Sequence, residues 1–217
     1  VFGDTVKSIP EYAYYNVSSI KSVIIGKNVT SIGNSAFSGC TGLTSITISE
    51  NVETIGHSAF CDCINLKEVN WNAKDVYGFM DDGAIFAGSG TSTAGINVIF
   101  GDNVKRIPDY LFLNCPYVTD SIVIPDSVES IGISAFDGCS GLTSVTIGKS
   151  VTSIGSSAFH GCTGLTSITI PDSVTDIGES VFDGTTWYNA QPFGDVYAGK
   201  VYYKYKGTML ENTSIAI

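Results

Sequence analysis

The hydrophobic positions of this chain recur at a nearly constant interval. The unit reads Val-x-x-Ile-Gly-x-Ser-Ala-Phe-x-Gly-Cys-x-x-Leu-x-x-Ile-x-Ile, and its copies follow one another at steps of 23, 23, 52, 24, 23 and 23 residues, starting at Val6, Val29, Val52, Val104, Val128, Val151 and Val174. A fixed period of this length is the sequence signature of a solenoid, in which each rung contacts only its neighbours. We therefore expect one elongated stack around a continuous hydrophobic interior.

Each unit ends in a short alternating segment that predicts a strand. In the segment after Leu43, Ile46 and Ile48 are apolar, whereas Ser45 and Thr47 are polar. Because successive side chains of a strand point to opposite faces, we expect the apolar pair inside and the hydroxyl pair outside. Copies of this strand stacked at roughly 4.8 Å predict a parallel sheet. The Val-x-x-Ile segment that follows predicts a second inward pair on the return path.

Two columns of the aligned units predict backbone geometry. One column contains only Gly, Asn or Asp, the residues that tolerate a left-handed backbone, and it predicts positive φ at Asn16, Gly39, Asp62, Asn114, Gly138, Gly161 and Gly184. The other column is glycine in most copies but proline at Pro10 and Pro108, and proline excludes positive φ. This second column therefore predicts close packing between rungs, at Gly33, Gly56, Gly132, Gly155 and Gly178.

The Ala-Phe pair of each unit predicts a short helical or 3₁₀ turn on the convex side. A serine precedes the pair where a helix cap would lie, at Ser35, Ser58, Ser134 and Ser157. We expect the phenylalanines to form an aromatic column along that side of the stack.

Five cysteines occupy one column and predict buried free thiols, at Cys40, Cys63, Cys115, Cys139 and Cys162. They follow the axis of the stack instead of converging as four ligands, which argues against zinc. Neighbouring Cα atoms roughly 5 Å apart would permit a disulfide, but parallel side chains seldom turn toward each other as bridging requires. We expect the thiols to act as small hydrophobic groups. Cys61 lies outside this column, and we expect it to be exposed and potentially reactive.

The repeat is interrupted in two places. The 52-residue interval contains a degenerate long rung at about residues 75–103, with its extra residues in a flexible polar loop at 88–95. The acidic stretch at 78–83 could hold calcium, but its spacing is not that of an EF-hand, and a plain loop is the simpler interpretation. We expect the solenoid over residues 1–184. The segment 185–217 is aromatic-rich and indicates a cap or a connector leading into a further repeat, with a sugar-stacking or partner-binding patch as the alternative.

Composition and charge exclude several classes of partner. The 217 residues are 43% hydrophobic and 15% charged, which is typical of a folded chain. The net charge of −10 comes without the basic stripe that nucleic acids require or the basic cluster of a membrane anchor. No apolar run approaches 20 residues, so we expect no direct membrane insertion. Residues 2–4 and 214–217 fit within the repeat pattern, and we expect a piece of a longer array.

The sequence Ile-Pro-Asp-Ser-Val-Thr-x-Ile-Gly-x-Ser-Ala-Phe-x-Gly-Cys-x-Gly-Leu-Thr-Ser-Ile-Thr-Ile, seen with small changes at 124–147 and 147–170, closely resembles the BspA-like leucine-rich repeats. The resemblance implies a leucine-rich-repeat right-handed solenoid with a parallel β-sheet on the concave face and short helical or 3₁₀ turns and loops on the convex side. Proteins of this family are secreted or surface-attached bacterial proteins, and some adhere to host proteins such as fibronectin and fibrinogen or to other bacteria. The resemblance implies an extracellular or cell-surface location and no fixed ligand motif.

The concave sheet is the candidate binding surface. We expect a non-enzymatic protein-binding or adhesion module, monomeric, whose partner is a protein or glycan ligand on a host or neighbouring cell. The candidate residues on this face are Ser45, Thr47, Glu68, Asn70, Asn72, Ser121, Val123, Ser144, Thr146, Ser167 and Thr169. The alternative is a structural spacer in a larger surface protein with no ligand of its own, because a ladder of Ser and Thr varies little between rungs.

Catalysis is not indicated by any motif. His57 and His160 lie about four rungs apart, and the sequence has no Ser-His-Asp order, phosphate-binding glycine loop or His-x-x-x-His pair. We therefore expect no enzyme, no cofactor and no metal site.

Overall fold

The computed structural model describes residues 5–76 and 84–207. They form the predicted right-handed solenoid, with parallel strands along the concave face and a second, narrower ladder of parallel strands beside them. The concave strands are β2 (Ser22–Ile24), β4 (Ser45–Ile48), β6 (Glu68–Trp71), β7 (Asn97–Phe100), β9 (Asp120–Val123), β11 (Leu142–Thr146) and β13 (Ser167–Thr169). The second ladder consists of β1 (Ser8–Ile9), β3 (Ser31–Ile32), β5 (Thr54–Ile55), β8 (Arg106–Ile107), β10 (Ser130–Ile131), β12 (Ser153–Ile154) and β14 (Asp176–Ile177).

The alternation of side chains along the concave strands is confirmed. Ile46 and Ile48 are fully buried, whereas Ser45 and Thr47 are partly exposed on the outer face. Neighbouring strands pair in register, so that like positions stack along the axis. The buried positions of all rungs therefore merge into one continuous core.

The glycine column lies beside the second ladder and is packed as predicted. A Cβ added to Gly33 would lie 2.4 Å from the backbone nitrogen of Glu11, and one added to Gly155 would lie 2.6 Å from the nitrogen of Ile133. Neither glycine has a positive φ. Close approach of successive rungs is therefore the reason for glycine here, as the proline replacements indicate.

The column of Gly, Asn and Asp has positive φ at every predicted position, with values from 54° at Asn114 to 79° at Gly184. Gly88 of the long rung, with φ of 69°, adds a further member that the sequence alignment did not identify.

The serine column departs from the expected helix cap. Ser35, Ser58, Ser134 and Ser157 have φ between 48° and 57°, whereas a helix-capping residue has an extended backbone. Turns rather than helices follow these serines. In the first of them Ser38 N donates to Ser35 O within the rung, whereas Phe37 N donates to Ala59 O of the next rung. Because the backbone amides bond alternately within the rung and to the next rung, the continuous hydrogen bonds of a helix do not form. This alternation requires two residues with a left-handed backbone in each turn.

The predicted aromatic column is a continuous stack, partly buried at Tyr14 and fully buried from Phe37 onward. Neighbouring ring centroids lie between 5.1 and 6.0 Å apart, and the ring planes are within 21° of parallel, through Tyr14, Phe37, Phe60, Phe86, Phe112, Phe136, Phe159 and Phe182.

The cysteine column consists of buried free thiols, as predicted. Cys63 Sγ donates to the carbonyl of Phe37, and Cys162 Sγ donates to the carbonyl of Phe136, each reaching back to the preceding rung. The expectation for Cys61 is wrong. Its side chain is half-buried and donates to Ala84 O, and burial raises the pKa of its thiol above the ordinary value. A raised pKa lowers the thiolate fraction and with it the reactivity.

Ser89 takes the place of a cysteine in the long rung, within the segment predicted as a polar loop. It is 1% exposed, its hydroxyl donates to Phe60 O at 2.6 Å, and it accepts from Cys63 N at 3.1 Å. The first residues of this loop are therefore held by buried hydrogen bonds. The acidic stretch at 78–83 and the end segments 2–4 and 214–217 lie outside the described residues.

Both ladders are divided at the long rung. Within the described residues the concave sheet separates into β2-β4-β6-β7 and β9-β11-β13, joined by an isolated bridge between Ile96 and Val118. After β6 and β7 the next residue donates to the preceding rung, as Asn72 N does to Ile48 O and Gly101 N does to Trp71 O. In the rung of β9 the position that corresponds to Gly101 is Pro125, which has no N–H to donate, and Asp120 at the start of β9 has a positive φ of 65°.

The aromatic segment after the last rung folds over its open end. It contains α1 (Thr186–Asn189) and an antiparallel hairpin of β15 (Gly194–Ala198) and β16 (Val201–Lys206). Tyr203 packs edge-on against Phe182, and its hydroxyl donates to Asp183 and accepts from Phe182 N. Whether this segment also connects to a further repeat stays a prediction.

Candidate functional site

The concave face presents two columns of outward side chains, which the parallel register holds in line. On the first half-sheet, one column runs through Ser22, Ser45, Glu68 and Asn97, and the other through Ile24, Thr47, Asn70 and Ile99. On the second half-sheet the columns are Ser121, Ser144 and Ser167, and Val123, Thr146 and Thr169. A parallel sheet fixes the spacing of such columns at roughly 4.8 Å, so the face is a regular array.

The structure places the predicted binding residues on this face with one exception. Asn72 follows the end of β6, and its side-chain amide donates to Ile48 O of the preceding rung at 3.2 Å. That hydrogen bond ties two rungs together at the rim of the sheet. The binding role of the remaining predicted residues stays a prediction.

Two outward residues of β7 complete the face and were missed from the sequence. Asn97 and Ile99 are exposed, Ile99 by 46%, and they stand beside Glu68 and Asn70 respectively. The signal was present, because Val98 and Phe100 are recognisable as the inward pair of the long rung. The residues between them therefore had to face outward.

The middle of the face differs from the strands β4, β11 and β13 that flank it. Asn70 Nδ2 donates to Glu68 Oε1 at 2.6 Å, which fixes both side chains on the surface of β6. Val123 is 63% exposed on the next half-sheet, and Asp120 at the start of the same strand is also exposed. The flanking strands β4, β11 and β13 present only serine and threonine outward.

A shallow groove of about 390 Å³ lies away from this face, over the second ladder. Its floor is the glycine column, and its lining includes Arg106 and Asp109, which form an ion pair of 2.9 Å at one end. The groove follows from the absence of side chains at these glycines.

The two histidines have separate polar neighbours. His57 Nδ1 lies 3.4 Å from the hydroxyl of Ser58, and His160 Nδ1 lies 2.9 Å from Asp137 Oδ1, each on its own part of the convex surface. Among residues 5–76 and 84–207, no group of three or more His, Cys, Asp or Glu side chains could hold a metal ion. Within the same ranges, no helix is long and apolar enough to cross a membrane.

The chain is similar to solved structures of bacterial leucine-rich repeat proteins. A leucine-rich repeat protein from Eubacterium ventriosum is 26% identical with a TM-score of 0.63, over 77% of this chain and 44% of the other. The leucine-rich repeat protein of T. pallidum is 28% identical with a TM-score of 0.50, over 84% of this chain and 71% of the other. The chain thus spans less than half the length of the first of these proteins. No curated protein sequence matches it.

The family model of the BspA type leucine rich repeat region matches residues 1–119 and 105–193, with 6 copies. These two ranges cover most of the chain, including the long rung and α1. The period, the cysteine and aromatic columns and the parallel sheet are the structural counterparts of that match. The chain therefore belongs to the BspA type leucine-rich repeat family.

Proposed function

We propose that this chain is a non-enzymatic adhesion module, which binds a protein or glycan on a host or neighbouring cell through its concave face. The observation that carries the proposal is the array of outward side chains on β4, β6, β7, β9, β11 and β13, aligned by the register of the strands. An aligned, open array suits a long or flat partner better than a small molecule, which requires a concave pocket.

Affinity at any one rung is expected to be low. The side chains of Ser45, Thr47, Ser144 and Thr146 are small, and a strong hot spot usually needs Trp, Tyr or Arg. Repetition offsets this weakness, because contacts made by successive rungs to one partner add through effective concentration.

An extracellular or cell-surface location is part of the same proposal. It is supported by the family to which the chain belongs, because resemblance to that family implies an exported or surface-attached protein. The charge of −10 is consistent with a partner that is neither a nucleic acid nor an anionic membrane.

A spacer without a ligand is the second candidate function. It is favoured by one observation, namely that the outward residues of β4, β11 and β13 repeat Ser and Thr almost unchanged. A recognition surface is expected to vary between rungs, whereas a stalk has no need to.

One experiment separates the two functions. The chain is immobilised and its binding to fibronectin, fibrinogen and a glycan array is measured, alongside a Thr47→Arg/Thr146→Arg variant that crowds the concave face. As a matched control, Thr175→Arg adds the same side chain at an exposed position outside that face. Binding that the concave variant abolishes, with its melting temperature unchanged and the control intact, is the expected result. Absence of binding to every probe, or equal binding by both variants, overturns the proposal and favours the spacer.

A further inference from the structure

The middle of the concave face forms a patch whose chemistry is unlike the rest of the sheet. We call it the central patch and define it by Glu68, Asn70, Asn97, Ile99, Asp120 and Val123. It contains two exposed aliphatic side chains, two amides and two carboxylates, where the flanking rungs have hydroxyl groups. Ile24 of β2 is the one other outward residue of the described concave strands that lacks a hydroxyl group. The concentration of such residues on three consecutive strands marks the part of the face that can discriminate between partners.

The aliphatic part of the patch lies across the division of the concave sheet. Ile99 is 46% exposed on β7, and Val123 is 63% exposed on β9, in corresponding positions of their rungs. Both strands hold their inner residues, Val98 and Ile122, in the core, so the two outward side chains cannot turn inward to escape water. Removing this aliphatic surface from water would contribute roughly 25 cal/mol per Å² buried.

The acidic part of the patch borders the aliphatic part on two sides. Glu68 lies beside Asn97 on the strand preceding Ile99, and Asp120 opens the strand that carries Val123. The strands that carry them are two spacings apart, roughly 10 Å along the axis, and Asp120 lies one residue before Ser121, the first outward residue of β9. One base, Lys67, is exposed next to Glu68 at the edge of the patch. The two acids outnumber this base, and the whole chain has a net charge of −10.

From this arrangement we infer that the central patch binds a cationic segment of a partner protein, in which an aliphatic side chain is flanked by lysine or arginine. The inference rests on the proposed adhesive function and names its class of partner. The aliphatic side chain covers Ile99 and Val123, and the flanking bases approach Glu68 and Asp120. In an extended segment, side chains on one face recur about every 7 Å, which matches bases placed two to four residues apart. Opposite charge at the rim favours association and fixes orientation.

A protein segment fits the patch better than a glycan does. The aliphatic surface consists of branched side chains, and the outward positions of the described concave strands contain no aromatic ring on which a sugar could stack. Nucleic acids are repelled, because their phosphates would face the two carboxylates.

The test selects ligands without assuming one. A phage-displayed library of random nine-residue peptides is selected against the immobilised chain at low salt, and the dissociation constant of the strongest peptide is then measured. We expect that peptides with at least two lysines or arginines around an aliphatic residue are enriched. We also expect the double variant Ile99→Thr/Val123→Thr, which restores the residue type of the neighbouring rungs, to weaken binding about tenfold or more. Glu68→Gln should weaken binding several-fold and reduce its dependence on salt.

The matched control is Ile24→Thr. Ile24 belongs to the same column and is 47% exposed, but it lies two rungs from Asn70, outside the central patch. Its substitution should leave peptide binding unchanged. Selection of acidic peptides, selection without any basic preference, or binding unaffected by the double variant overturns the inference.

The result also distinguishes this inference from the proposed function. If fibronectin, fibrinogen or a glycan binds through Thr47 and Thr146 while the central-patch variants bind equally well, the inference fails and the adhesive function stands. If neither the proteins, the glycans nor the peptides bind, both fail.

Discussion

The hydroxyl of Ser89 donates a hydrogen bond to the carbonyl oxygen of Phe60 at 2.6 Å, in the place where other rungs use a thiol. Cys63 and Cys162 make the same contact to the preceding rung at 3.4 and 3.1 Å. Cys40 and Cys139 also donate to the preceding rung, whereas Cys115 donates to Leu113 O of its own rung. Most positions of the column thus hold a small donor that reaches one rung back, and both sulfur and oxygen can serve as that donor.

The first prediction follows from that requirement. Ser89→Ala should destabilise the chain by about 1–3 kcal/mol, because it leaves Phe60 O and Cys63 N without their buried partner. Ser89→Cys should have a smaller effect, since a thiol is accommodated in the neighbouring rungs. Urea unfolding at neutral pH measures both changes. Equal losses for the two variants would contradict the interpretation that any small donor meets the requirement at this position.

Alkaline pH should destabilise the chain through its buried thiols. Burial raises the pKa of Cys63 and of Cys162 to about 12, from an ordinary value of 9.0. Because the folded pKa is the higher one, the stability contribution is fully present below about pH 9. It falls as pH rises toward 12, at about 1.4 kcal/mol per thiol for each pH unit.

The Cys63→Ser/Cys162→Ser variant isolates this effect, since serine does not ionise in that range and Ser89 shows that the column accepts it. Unfolding midpoints at pH 8 and pH 10.5 should differ less in the variant than in the parent chain. An identical decline in both would place the alkaline sensitivity elsewhere, for example in the tyrosines.

The aromatic stack should be a major source of stability. Phe136 and Phe159 are fully buried, with ring centroids 5.3 Å apart and planes 1° from parallel. Phe136→Ala should destabilise by about 3–5 kcal/mol, because it opens a cavity between two rungs. Phe193→Ala, at a residue 84% exposed, should change stability by less than about 0.5 kcal/mol. Thermal unfolding monitored by circular dichroism compares them.

Adding one methyl group at the glycine column should also destabilise the stack. In Gly155→Ala the new Cβ would lie 2.6 Å from Ile133 N and 2.7 Å from the carbonyl carbon of Gly132, both backbone atoms that cannot move aside. We expect a loss of about 1–3 kcal/mol. Ser153→Ala, two residues earlier on β12, is the control and should be nearly neutral. An unchanged melting temperature for Gly155→Ala would mean that the rungs can separate without penalty.

The hairpin that covers the last rung should depend on Tyr203. Its hydroxyl links Phe182 N to Asp183, so Tyr203→Phe should destabilise by about 1–2 kcal/mol. Tyr202→Phe is the matched control on the same strand, since Tyr202 is 44% exposed. Urea unfolding followed by tyrosine and tryptophan fluorescence measures both, and equal effects would contradict a specific role for the Tyr203 hydroxyl.

The same contact predicts a dependence on acid. Partial burial tends to raise the pKa of Asp183, but hydrogen bonds from Lys204 and Tyr203 outweigh it and hold that pKa below the ordinary 3.8. With the folded pKa lowered, this contribution is present above about pH 4 and is lost as pH falls below it. The acid transition of Asp183→Asn should therefore be shallower than that of the parent chain, and an unchanged transition would contradict this interpretation.

The repeated features could be predicted from the sequence in detail. The period, the inward and outward alternation, the left-handed column ending at Gly184, the close-packed Gly155 and the buried Cys139 are all confirmed. Each of these positions meets the same neighbours in every rung, so the same physical requirement selects the same residue type many times. Repetition therefore reveals the requirement without coordinates.

The features that occur once, or that depend on hydrogen bonds between rungs, were decided by the tertiary structure. A serine such as Ser35 does not by itself predict a positive φ. The positive φ is required because the amide of Phe37 bonds to the next rung and not within its own turn. The role of Ser89 emerges because a chain of irregular length returns to the same inter-rung contact. Likewise, Ile99 and Val123 come to occupy corresponding exposed positions of successive rungs only because β7 and β9 follow one another across the interruption of the sheet. Sequence fixes what each rung must bury, whereas stacking decides which exposed residues come to lie side by side.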